Sequence, residues 1–135
     1  MPRSGVTQRV EGYPYGECVR ATYATLLGLP IERVPRFDPA VCDALGQEQG
    51  DRERQWLTSL GFDLVEIGVE PPAELPPEIL ACVPNVPHLI SGISPRGFGH
   101  RCVGVGGRVA WDPHPSRAGL ATVYSIGLLV PMRGA

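Results

Sequence analysis

The chain contains no lysine; all twelve of its basic residues are arginine, and Asn85 is its only asparagine. This is the pattern of a GC-rich coding bias. Without lysine there is no Schiff-base chemistry and no phosphate-loop lysine, so Gly104-Val105-Gly106-Gly107 does not read as a nucleotide cradle. No C-x-x-C pair joins Cys18, Cys42, Cys82 and Cys102, which argues against a zinc ribbon or a thioredoxin-type redox motif. No apolar run approaches the roughly 18 residues of a membrane span. The start, Met1 to Gly5, has a charge but no apolar stretch behind it, so no secretory signal is read there. Structural disulfides are therefore not expected, and the expectation is a cytoplasmic or virion-associated protein in which most cysteines are small buried hydrophobes. The net charge of -2 speaks against a sequence-blind nucleic-acid binder.

What is present is enough for one folded domain over residues 1–135. Glycine (17) and proline (15) are abundant, yet 43% of the residues are hydrophobic, too many for a disordered chain of such low charge. Residues 1–16 read as an irregular lead-in. Glu17 to Leu27 has no glycine or proline and ends at Gly28, with Pro30 beyond, which predicts a helix. Pro35 and Pro39 break the next stretch into a turn of helix and a loop. A second helix is expected from Gln47 to Leu60, then a strand from Phe62 to Val69 and a stiff linker at Pro71, Pro72, Pro76 and Pro77. Strands follow at Leu89–Ile93, Arg101–Val105, Arg108–Trp111 and Thr122–Val130. Helices first and strands later predict an α+β fold with a mostly antiparallel sheet.

Cys18 falls at the start of the first helix, where the macrodipole and unpaired N–H groups favour a thiolate. Gly16 lets a substrate approach the backbone. His100 and Asp112 flank a hairpin whose register can be tested against hydrophobicity. A two-residue turn at Gly106-Gly107 mixes apolar and charged residues on both faces and separates His100 from Asp112. A three-residue loop ending at Gly107 puts Val103, Val109 and Trp111 on one face. On the other face are His100, Cys102, Ala110 and Asp112, with His100 directly opposite Asp112, so this register is preferred. A nucleophile, a base and an orienting carboxylate are the parts of a thiol hydrolase. Each also has a plainer reading: Cys18 as a buried helix residue, His100 as the end of a strand, Asp112 before Pro113 as the start of a turn. His114 is expected to be exposed and inert, His88 to begin a strand, Cys102 to fill space, Trp56 to lie in the core and Arg96 to be a solvated loop residue.

Gly16-Glu17-Cys18-Val19-Arg20-Ala21, followed by Leu26-Leu27-Gly28-Leu29-Pro30 and Val34-Pro35-Arg36-Phe37, resembles the nucleophile helix of small papain-like cysteine peptidases. The likeness is to bacterial and phage domains akin to bacteriocin-leader-processing peptidases. Ser94-Pro95-Arg96-Gly97, Gly99-His100 and Trp111-Asp112-Pro113-His114-Pro115-Ser116 resemble the histidine-strand and Asp-Pro segments of that family. The likeness runs from about Gln8 to Val130. It implies a papain-like fold with the nucleophile helix packed on the sheet, Cys18 as nucleophile, His100 as base and Asp112 as orienter. Gln8, the only upstream glutamine, is implied as an oxyanion donor, although it stands ten residues before Cys18, a longer gap than in the leader peptidases. Gly16-Glu17-Cys18 departs from the commoner Gly-Asp-Cys or Gly-Asn-Cys. The implied reaction is hydrolysis of an amide or isopeptide bond in a peptide or protein tail, with no cofactor or metal. Transglutaminase-like acyl transfer, a catalytically silent binding module and a cysteine redox sensor are the alternatives. Zinc held by Cys18, His100 and Asp112 would lack any local ligand pair.

Overall fold

The computed structural model describes residues 5–12, 16–69, 77–83 and 85–132, without the side chains of residues 79, 80 and 82. Helix α1 runs Cys18–Leu27, a 3-10 turn Ile31–Arg33, α2 Pro39–Leu45 and α3 Gln49–Ser59. Strand β1 spans Phe62–Gly68, α4 Pro77–Cys82, β2 Pro87–Ile93, β3 Gly99–Val105, β4 Arg108–Trp111 and β5 Thr122–Pro131. The sheet order is β1-β5-β2-β3-β4, and each neighbouring pair is antiparallel. The expected α+β organisation is thus present. No helix among the described residues is long and apolar enough to cross a membrane.

Local chemistry explains the boundaries. α1 stops because Gly28 takes the left-handed conformation (φ 65°) and turns its N–H back to Ala24 O. α2 begins at Pro39, whose missing N–H costs nothing in the first turn, and Asp38 caps it by accepting from Val41 N–H. α4 falls where a proline linker was expected. Pro77 occupies its first position, where a proline favours a helix, and positions 71, 72 and 76 lie outside the described residues.

Ladder register puts apolar residues on both faces of the sheet. Leu89 joins Ala21, Tyr23, Ala24, Leu57 and Leu64 under α1 and α3, where Tyr23, Phe37 and Trp56 also meet ring to ring at 5.4–5.7 Å. Ile90, Cys102 and Ile126 are paired in one row across β2, β3 and β5 and make a second, smaller core. Adjacent rows point to opposite faces, so the two clusters lie on opposite sides of the sheet.

The β3–β4 hairpin corrects the expected register. Its tip is the two-residue turn: Gly106 and Gly107 both have positive φ (63° and 80°), and Val105 pairs with Arg108. That is the turn whose twist suits a hairpin. A bulge between Val103 and Gly104 then shifts the ladder, so that Gly104 faces Val109 while Val103 faces Trp111. Val109 therefore does not share the Val103–Trp111 face, and it is exposed. His88 locks the tip. It is fully buried, accepts the Gly107 N–H on Nε2 (3.0 Å), and its Nδ1 donates to Leu89 O (2.9 Å). Burial lowers its pKa, which keeps the ring neutral for this double role. A Cβ on Gly104 would come within 2.4 Å of the His88 ring. Gly104→Ala is expected to cost about 2 kcal/mol by overpacking, read as a lowered urea midpoint with an unchanged slope.

Candidate active site

The hairpin and α1 together build one site. β4 ends at Trp111, opposite Val103, so the first residues of β3 have an open edge towards α1. Cys18, the first residue of α1, sits at that edge and is partly exposed. The His100 ring and Arg101 line the same cavity wall as Cys18, close enough for both to favour its thiolate. The first-turn N–H groups of α1 point the same way. Burial alone would raise the Cys18 pKa, but the His100 bond and charge, with the Arg101 N–H, outweigh it and lower it.

His100 Nε2–H donates to Asp112 Oδ1 at 2.7 Å. That leaves the other ring nitrogen, Nδ1, for the Cys18 sulfur. Burial of His100 opposes its charge, but its bonds to Cys18 and Asp112 prevail and raise its pKa. Asp112 is buried and surrounded by donors: His100, the His114 N–H on Oδ1 (2.9 Å) and the Gly119 N–H on Oδ2 (2.7 Å). These outweigh burial and hold its carboxyl below the usual range. The pair meets across the end of the hairpin, just after β4 has stopped, and not as directly opposed strand residues.

Gln8 lies buried on the wall of the same cavity, an open cleft of about 600 Å3 that also exposes Cys18, His100 and Arg101. Its backbone N–H donates to Pro113 O (2.9 Å), and its Nε2 donates one proton to Val10 O (2.8 Å). One amide proton remains. Nothing in the chain is similar enough to place it by relationship. No family model, curated protein or solved structure matches it.

Glu17 is the largest addition to the sequence reading. It is buried before α1, and its carboxylate accepts from the Arg9 and Val10 N–H groups and from the Arg9 and Arg20 guanidinium groups. Burial would raise its pKa, yet these donors bring it down to about 2. It thereby folds the segment carrying Gln8 against the start of α1. The only sequence signal was its place beside Cys18.

His114 is partly buried, not exposed as expected. Its ring meets His100 edge to face at 6.1 Å, and Nε2 pairs with Glu11 across the rim of the cleft. Arg96 lines the cleft and donates to Ser116 Oγ (2.9 Å). Cys102 lies against the site, its ligand atom within 4.8 Å of those of His100 and Asp112. Burial first, then the Asp112 carboxylate, push its thiol pKa up, so it remains a protonated donor. These three could in principle surround a cation, but the Asp112 oxygens already hold the His100 proton and two backbone N–H groups. We read the trio as hydrogen-bonded partners.

Proposed function

We propose that the chain is a cysteine hydrolase of the papain-like kind, cleaving an amide or isopeptide bond in a peptide or protein tail. The observation that carries this reading is the His100 ring, hydrogen-bonded to Asp112 at 2.7 Å and sharing an open cleft with Cys18 at the start of α1. The Cys18 pKa is lowered and the His100 pKa raised, both in the direction of a thiolate–imidazolium pair.

The thiolate attacks the carbonyl carbon and forms an S–C bond. The Cys18 N–H at the first position of α1 is the first oxyanion donor, and Gln8, on the wall of the same cleft, is the second. His100 passes its proton to the leaving nitrogen, the C–N bond breaks, and a thioester remains. His100 then takes a proton from water, whose oxygen displaces the sulfur. The products are a carboxylic acid and the regenerated ion pair. Asp112 keeps the imidazole oriented throughout. A reducing compartment such as the cytoplasm suits a site that depends on a free thiol.

The test is the rate at which iodoacetamide alkylates Cys18 against pH, read by peptide mass spectrometry. At pH 6 Cys18 should react much faster than Cys42 or Cys102, and His100→Ala should remove that advantage. A Cys18 that behaves as a thiol of pKa about 8.5 overturns the reading and favours a silent binding module. Once reactivity is established, peptide and isopeptide libraries with intact-mass detection of the acyl-enzyme identify the substrate, and added amines separate hydrolysis from acyl transfer.

A further inference from the structure

Arg101 follows His100, yet no step above uses its side chain. The guanidinium is almost wholly enclosed, with 13% of the side chain exposed, and still reaches the wall of the cleft that holds Cys18. Its Nη1 pairs with the Glu53 carboxylate, itself buried on α3, and its Nε donates to Ser91 Oγ at 3.2 Å. Glu53 is held in turn by the Tyr23 hydroxyl from α1 and by Gln49 Nε2 (2.9 Å) one helical turn earlier. A buried ion pair of this kind is costly to assemble and contributes little net stability. Its position beside the nucleophile gives it another use.

Other charges on the cleft wall have partners of their own. Glu11 pairs with His114, Asp38 with Arg36, and Arg96 is turned to Ser116. Glu17 and Arg20, at the start of α1, are paired with each other. His100 faces Cys18 directly. Arg101 is next along β3 and lines the same cleft as Cys18, and the field of its enclosed guanidinium acts there through a water-poor wall.

We propose that Arg101 is a second electrostatic support for the Cys18 thiolate, with Glu53 as the counter-charge that holds its guanidinium and partly cancels its field. This rests on the hydrolase reading and assigns the buried Tyr23–Glu53–Arg101 chain to the nucleophile. The roles have opposite signs. Loss of the Arg101 charge destabilises the thiolate. Loss of the Glu53 charge leaves Arg101 uncompensated and stabilises it. A purely structural network predicts no such opposition, because damage from either side would act alike.

The experiment is the pH midpoint of Cys18 alkylation in wild type, Arg101→Met, Arg101→Lys and Glu53→Gln, with far-UV circular dichroism and a thermal melt on each variant. Glutamine can still accept from Tyr23 and Arg101 through its amide oxygen. Arg101→Met should move the midpoint to higher pH and cut the alkylation rate at pH 6 by about tenfold. Glu53→Gln should move it to lower pH, and Arg101→Lys should stay near wild type. If Glu53→Gln does not fold, the comparison of Arg101→Met with Arg101→Lys decides: equal midpoints overturn the proposal. In folded variants, shifts of the same sign or no shift overturn it as well. A wild-type midpoint near an ordinary thiol, indifferent to His100→Ala, overturns the hydrolase reading itself. A low, His100-dependent midpoint that ignores Arg101 overturns only this inference.

Discussion

Replacing His100 by alanine is expected to lower turnover by about 10³- to 10⁴-fold, once a substrate is in hand, with the fold intact. In the proposed reaction three losses coincide at one residue. The thiolate loses the imidazolium that stabilises it, the leaving nitrogen loses its proton donor, and deacylation loses its base. Asp112→Asn should cost less, because His100 still faces Cys18 but lacks the anion that raises its pKa and fixes Nε2 as the protonated nitrogen. The pH profile follows from the signs. Cys18, with its pKa lowered, is deprotonated from an unusually low pH upward. His100, with its pKa raised, keeps its proton to an unusually high pH. The wild-type rate should rise on the acid side through the first ionisation, level off, and fall on the alkaline side through the second. In Asp112→Asn the alkaline fall should move to lower pH. A steady-state kcat/KM profile of both proteins checks this. An alkaline limb that ignores the Asp112 change would remove it from the site.

Glu17 carries the largest expected effect on stability. Its folded-state pKa of about 2 lies below the ordinary 4.5, so the folded state is stabilised by about 3 kcal/mol wherever the carboxylate is ionised in both states. That stabilisation is complete above pH 4.5 and is lost as the pH falls from there through about 2. Glu17→Ala is therefore expected to lower the unfolding free energy at pH 7 by about 3 kcal/mol, measured by urea denaturation. It should also release Arg9 and Val10, and with them the Gln8 segment, so activity should fall further than stability alone explains. Glu17→Gln should show a smaller difference from wild type at pH 3 than at pH 7. A difference that does not depend on pH would show that shape, and not charge, is what Glu17 contributes.

The clustering of Cys18, His100 and Asp112 was legible because each rests on a local rule: a cysteine two residues after a glycine at a helix start, and two polar residues flanking a hairpin. The order of helices and strands was legible from glycine and proline punctuation together with apolar periodicity. The register was misread because a hydrophobic pattern cannot reveal a bulge. Omitting Ala110 from the ladder reconciles the two-residue Gly106–Gly107 turn with a His100–Asp112 contact, and only strand geometry shows the omission. Glu17 looked like a neutral variation beside the cysteine, since its partners Arg9 and Val10 arrive by a loop closure that no local window contains. Glu53 carries no local signal of its role on α3. Its meaning depends on Tyr23 and Arg101, which come from opposite ends of the chain. The burial of His114 is not legible locally because its contacts with Glu11 and His100 are likewise tertiary.

The open edge of β3 also has a consequence for the order of assembly. His100 and Asp112 belong to one hairpin, a local unit that can close early, whereas the Cys18 sulfur is separated from them by most of the chain. While a ribosome is still extending the polypeptide, Cys18 emerges first and must wait for β3. Until that strand docks, the thiol has neither imidazole nor Arg101 N–H beside it and keeps the sluggish chemistry of a free cysteine. Under the proposed reaction, reactivity is therefore acquired only once β3 has docked, and a nascent or partly unfolded chain carries no armed nucleophile to be oxidised or to attack its neighbours.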